Sequence, residues 1–112
     1  MELNKKLAEW AGFKYIYQAT NGGWYYYEYQ GGEPKPIPNF TESLDACFKH
    51  LEPELYRRGY RYQLTRLQDG HRMYIYKFRK GWGEPFISSL QETASLAFCD
   101  AVEKLIEAED GN

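Results

Sequence analysis

The sequence predicts an α+β fold: an antiparallel sheet of about four strands sandwiched by helices, in the order α-ββ-α-ββ-α. Three observations lead there. The stretch Thr41-Glu-Ser-Leu-Asp-Ala-Cys47 returns as Thr93-Ala-Ser-Leu-Ala-Phe-Cys99, repeating Thr, Ser, Leu and Cys at an offset of 52 residues. Each copy opens an amphipathic helical pattern. Each follows two aromatic-rich strand candidates, the composition that pleated surfaces favour. Residues 13–58 and 60–108 thus read as two ββα units. They are either copies of one unit or two helix starts that share capping chemistry.

Residues 2–11 read as a first helix. Leu3, Leu7 and Trp10/Ala11 share one face, and Gly12 is placed to end it. Residues 13–18 and 24–30 read as strands, with Asn21-Gly22-Gly23 as the turn between them. Residues 33–40 carry prolines at three alternate positions, which predicts an extended connector. Thr41 is the expected N-cap of the next helix. Leu44, Cys47, Phe48, Leu51 and Leu55 form its apolar stripe. Pro53 is expected to end the main helix near Leu51 and to start a further turn, which Gly59 stops. Residues 60–67 and 72–79 predict a second hairpin about Asp69-Gly70. Tyr74, Tyr76 and Phe78 fall on one face of its return strand and Met73 and Ile75 on the other, the pattern of a strand covered on both sides. A loop at 81–85 follows, and then Phe86-Ile87 as a short strand or a buried segment. Ser89 with Glu92 fits a capping box, and Thr93 offers a second cap. Leu96, Cys99, Val102, Leu105 and Ile106 stripe the last helix.

The 112 residues are expected to form one domain, 1–112, large enough to bury a core without disulfide or metal staples. Aromatic residues make up 18% of the chain and include 11 tyrosines, which suits half-buried strands or a contact surface. Cys47 and Cys99 sit on helical core stripes and read as reduced core thiols. The opening residues lack the apolar run of a signal peptide, and no segment has the length of a membrane span. The expectation is a cytoplasmic protein without membrane contact. Net charge is −2, but it is segregated: −3 over residues 1–56, +7 over 57–80 and −6 over 81–112. A basic island lies between acidic flanks.

Catalysis finds little support. His50 and His71 are the only histidines. They lack metal-ligand spacing, and His50 is expected on the polar side of its helix. No nucleophile elbow, phosphate loop or zinc-protease motif is present. The expectation is a protein without enzymatic activity, catalytic residues, metal or cofactor.

The segments Pro38-Asn-Phe-Thr-Glu-Ser-Leu-Asp-Ala-Cys-Phe-Lys-His-Leu51 and Gln91-Glu-Thr-Ala-Ser-Leu-Ala-Phe-Cys-Asp-Ala-Val-Glu-Lys-Leu105 resemble the phage ABA sandwich domain family. Glu92, Thr93, Leu96, Ala97, Cys99 and Ala101 match its late helix start. Leu7-Ala-Glu-Trp-Ala-Gly-Phe13 is similar to its first helix running into a strand. The basic hairpin 57–80 departs from the family pattern. The resemblance implies an α/β sandwich and a phage or prophage origin, and hence a bacterial host cytoplasm. It implies no catalytic motif and no ligand.

What remains is binding. Basic and aromatic side chains interleave at 57–80, and Trp24-Tyr-Tyr-Tyr27 cannot all face inward on one strand. Trp, Tyr and Arg dominate interface energetics. The expected binding residues are Trp24, Tyr26, Arg61, Arg66, Arg72, Tyr74, Tyr76 and Trp82. The expected partner is a host or viral protein, or a second copy of the chain. Two alternatives use the same residues. One is a small anionic ligand such as a nucleotide signal, with Arg on phosphate and Tyr on a base. The other is nucleic acid on the basic hairpin.

Overall fold

The computed structural model describes residues 2–77 and 84–110. Helix α1 spans Glu2–Trp10. Beyond it the Gly12 N–H donates to the Glu9 carbonyl at 3.1 Å, and the Phe13 N–H donates to that of Ala8 at 3.0 Å. This paired closure needs a left-handed residue at its centre, and Gly12 supplies φ +95.

Three short strands follow: β1 (Tyr17–Gln18), β2 (Trp24–Tyr26) and β3 (Lys35–Pro36). They are shorter than the expected 13–18 and 24–30. Tyr15 takes φ +57, which interrupts extended backbone just before β1. The connector expected at 33–40 becomes the third strand. Tyr26 pairs with Lys35 and Tyr25 with Pro36, and the Ile37 N–H donates to the Trp24 carbonyl at 3.0 Å. Proline is tolerated because β3 lies at the sheet edge.

The middle helix is built in three pieces. α2 (Leu44–Ala46) passes into a π-helical stretch, Cys47–Leu51, and then into α3 (Glu52–Arg57). Its N-cap is Ser43, whose Oγ accepts from the Ala46 N–H at 3.1 Å, not the expected Thr41. Thr41 is buried instead, and its carbonyl accepts the Ser95 hydroxyl at 2.8 Å. The wide turn precedes Pro53, as expected of a residue that cannot donate and whose ring crowds the preceding carbonyls.

The second sheet holds β4 (Tyr60–Leu67), β5 (Gly70–Lys77) and β6 (Ile87–Gln91). Leu67 pairs with Gly70, so Gln68-Asp69 forms the tight loop and Asp69-Gly70 is not its centre. Phe78 and the rest of the expected strand end lie outside the described residues. β6 extends the Phe86-Ile87 segment to Gln91. Ser89 is therefore a buried strand residue donating to Asp100 at 2.6 Å, and no capping box with Glu92 forms. Thr93 caps α4 (Ala94–Asp110), accepting from the Leu96 N–H at 3.1 Å.

The fold is α+β with antiparallel sheets and helices, but the expected single sheet of about four strands is two sheets of three, ordered β1-β2-β3 and β4-β5-β6. In each half the segment leading to the helix adds one more strand, which completes a local meander. α4 packs on β5 and β6, and α1 packs on α4. One core joins Leu7, Trp10, Phe40, Leu51, Leu55, Met73, Ile75, Phe98, Val102 and Leu105. Cys47 and Cys99 meet inside it with their sulfurs 3.8 Å apart, both free and buried. No described helix is long and apolar enough to cross a membrane.

Candidate functional site

Opposed residues in an antiparallel ladder share a face. The register therefore sorts the second sheet into two surfaces. Tyr62, Leu64, Met73, Ile75, Ile87 and Ser89 face the core, beneath α4. The outer face carries Arg61, Gln63 and Thr65 from β4, Arg72, Tyr74 and Tyr76 from β5, and Ser88 and Leu90 from β6. Four of the expected binding residues (Arg61, Arg72, Tyr74 and Tyr76) are thus brought together.

Each is held by near neighbours. The Arg61 guanidinium lies 4.7 Å from the Tyr56 ring centroid, and its Nη1 donates to the Tyr60 carbonyl at 2.8 Å. Arg72 lies 5.8 Å from the Tyr74 ring and donates to Ser88 Oγ at 3.0 Å. Cations at such distances are attracted to the negative ring face, which restrains them. Tyr76 is buried on this face, and its hydroxyl donates to Gln63 Oε1 at 3.0 Å. It supports the surface and offers little of itself to a partner. Exposed Leu90 pairs opposite Arg72, and exposed Leu67 lies further along the same face. No Asp or Glu stands among the strand residues of this face.

The other expected residues are elsewhere. Arg66 pairs with His71 and so turns to the opposite face, at the end of the hairpin. Trp24 and Tyr26 share the inner face of the first sheet with Ile37. Lys5 Nζ lies 5.1 Å from the Trp24 ring, and Tyr26 meets Phe13 edge-on at 4.6 Å. The outward aromatic surface there is a stack of Tyr17, Tyr25 and Tyr27, with centroids 6.0 and 5.4 Å apart. Period-two spacing within 24–27 carried that signal, but not its direction. Trp82 lies outside the described residues. Ser88 and Leu90 escaped sequence reading because β6 was not extended past Ile87.

Part of the basic island is neutralised internally. Arg57 and Arg58 both bind the buried Glu54, Arg58 through Nε at 2.6 Å. The Arg57 hydrogen bond, with further pull from Arg58, holds that carboxyl below the usual carboxylate range against the opposing effect of burial. Arg58 also reaches Glu109 at 3.2 Å and the Trp10 carbonyl at 3.2 Å, and it lies 4.6 Å from the Trp10 ring. Glu109 accepts from Trp10 Nε1 and the Tyr60 hydroxyl as well. Burial, with this bond to Glu109, pushes Tyr60 up to about 12.

Two open grooves border the first sheet. One of about 460 Å³ runs along Leu3, Lys5, Lys6, Trp24 and Glu103. One of about 390 Å³ is lined by Phe13, Lys14, Tyr26, Tyr27 and His50. His50 is not on a polar side: it is half-buried, 5.0 Å from the Phe13 ring and 6.1 Å from Phe40. Burial and the Lys49 ammonium lower its pKa. Among the described residues no group of three or more His, Cys, Asp or Glu could hold a metal ion. The hydrogen bond with Cys47, and burial, raise Cys99 far above an ordinary thiol, which suppresses the nucleophilic thiolate. No family model, curated protein or solved structure matches this chain.

Proposed function

We propose that this chain is a small phage- or prophage-encoded binding protein that engages a host or viral protein through the outer face of its second sheet. The observation that carries this reading is one sheet face that holds both Arg61 and Arg72, each restrained over a tyrosine ring, with exposed Leu90 and Leu67 beside Arg72. Pre-positioned guanidiniums beside apolar side chains suit the centre of an interface, because less side-chain freedom is lost on binding. The matching partner surface is acidic with apolar anchors. The reading involves no catalysis and no cofactor, and it places the protein in the bacterial host cytoplasm.

A second reading, sequestration of a small anionic ligand such as a nucleotide, is favoured by the groove lined by Lys14, Tyr26, Tyr27 and His50. Nucleic-acid binding along 57–80 is weakened by the pairing of Arg57 and Arg58 with Glu54. One experiment separates these readings: affinity capture from infected or lysogenic cells, with mass spectrometry of bound proteins and small molecules, repeated with Arg61→Glu/Arg72→Glu. The first reading expects a protein enriched by the wild type and lost with the double variant. Equal enrichment by both forms defeats it, and a small molecule retained by both favours the groove.

A further inference from the structure

Among the described residues, β4 is the end strand of its sheet and pairs on one side only. The alternation of the backbone tells which of its polar groups are left over. The Phe86 N–H donates to the Ile75 carbonyl at 2.8 Å, so Ile75 turns its backbone toward β6. Successive residues of an antiparallel strand turn their N–H and C=O to opposite sides. Gly70, Arg72, Tyr74 and Tyr76 therefore turn toward β4, and their partners Leu67, Thr65, Gln63 and Arg61 turn toward them. Tyr60, Tyr62, Leu64 and Arg66 are left with their polar groups at the free edge. The Tyr60 carbonyl is taken by Arg61 Nη1. Among the described residues, no backbone group of another element reaches Tyr62, Leu64 or Arg66.

We propose that two copies of this chain pair antiparallel through β4, about a two-fold axis at Leu64, and merge their second sheets into one. An unpaired strand edge is a template for a further strand, and a two-fold contact must be self-complementary. This edge meets that condition. The axis sets Leu64 opposite Leu64 of the second copy, Tyr62 opposite Arg66, Gln63 opposite Thr65 and Arg61 opposite Leu67. Like charges never oppose each other. On the solvent face Gln63 meets Thr65 and the aliphatic stem of Arg61 meets Leu67; on the core face Leu64 meets its own copy, and each Arg66 cation lies beside a tyrosine ring. The three outward-turned residues exchange about six backbone hydrogen bonds. An axis at Gln63 is disfavoured, because it would require the Tyr60 carbonyl that Arg61 already holds. Self-complementarity is what favours a second copy over an unrelated extended peptide. The pairing also joins the two arginine-tyrosine faces into one continuous surface.

The test needs no ligand, so it stands or falls separately from the proposed function. Sedimentation of the full chain over a concentration series should show the mass rise from 13.2 kDa toward twice that value. Hydrogen exchange should show the Tyr62, Leu64 and Arg66 amides gaining protection with concentration, while those of Gln63 and Thr65 are protected throughout. Arg66→Pro removes an outward N–H, which an edge strand tolerates, and should stay at the single-chain mass with unchanged far-UV circular dichroism. Arg66→Ala keeps that N–H and should still pair. A wild type that remains a single chain overturns the proposal, and so does a dimer whose Tyr62, Leu64 and Arg66 amides stay unprotected. If Arg66→Pro fails to fold, the wild-type exchange pattern decides.

Discussion

Gly70 stands at φ +152, and a Cβ there would sit 2.6 Å from the Gln91 carbonyl oxygen. Both constraints exclude a side chain, and the second comes from a strand 21 residues further along the chain. Gly70→Ala should therefore lower stability by about 1–3 kcal/mol, as read by denaturant unfolding. The size of loss matters, because an ordinary turn glycine would cost less. The Asp-Gly dipeptide advertised a turn, yet Gly70 is required by the approach of β6. The same displacement affects the repeated Thr-x-Ser-Leu-x-x-Cys. In its first copy the cap is Ser43, and in its second it is Thr93. Matching residues thus do different local work. The cysteines are the exception, since both become core thiols as their helical stripe foretold.

At the scale of elements, two depressed carboxylates act as ties. Glu54 binds Arg57 and Arg58 at the end of α3. Asp100 joins α4 to β6 through Ser89 and accepts an ion pair from Lys104 at 3.3 Å. Burial alone would raise Asp100, but bonds from Ser89, Gln91 and Lys104 outweigh it and hold the group below its ordinary value. In both cases the folded pKa lies below the unfolded one. Their stabilisation is therefore complete above the ordinary carboxylate value of about 4 and is lost as pH falls through the folded values. Thermal unfolding followed from neutral pH down through that range should show a steep acid limb, which Glu54→Gln combined with Asp100→Asn flattens. An acid limb unchanged in the double variant would show that other groups govern it. The elements themselves were legible where the period was long: α1, α4 and both strands of the second hairpin appear close to their expected spans. β3 and the far end of β6 were not, because a proline-rich connector and a serine pair carry no strand period. Their pairing is decided by the neighbouring strand.

The described residues form two antiparallel meanders and three helices, the middle one in three pieces, around a core that both halves share. Cys47 and Cys99 meet at its centre, and both lie at zero exposure. Thiol-reactive reagents should accordingly leave both untouched in the native protein. Modification should appear only with global unfolding, its rate following the unfolded population as denaturant is added. Rapid native labelling of either cysteine would mean that the helices open locally. The charge pattern is resolved at this scale too. The island at 57–80 is split by its folding: Arg57 and Arg58 turn to Glu54 and the acidic last helix, while Arg61 and Arg72 remain on the outer face.

The sequence by itself determined the α+β class, the positions of the long helices and the second hairpin, and the burial of both cysteines. Each of these follows from local periodicity, capping and turn chemistry, which act within a few residues. Only the tertiary structure decided the number of sheets, the cap used in each helix, the partners of the basic side chains and the face on which each aromatic lies. Those depend on register, because a shift of one residue turns every side chain of a strand to its other face. Register is fixed by packing between segments far apart in the chain. The arginine-tyrosine face is therefore written in the sequence as composition, and it becomes a surface only through pairing.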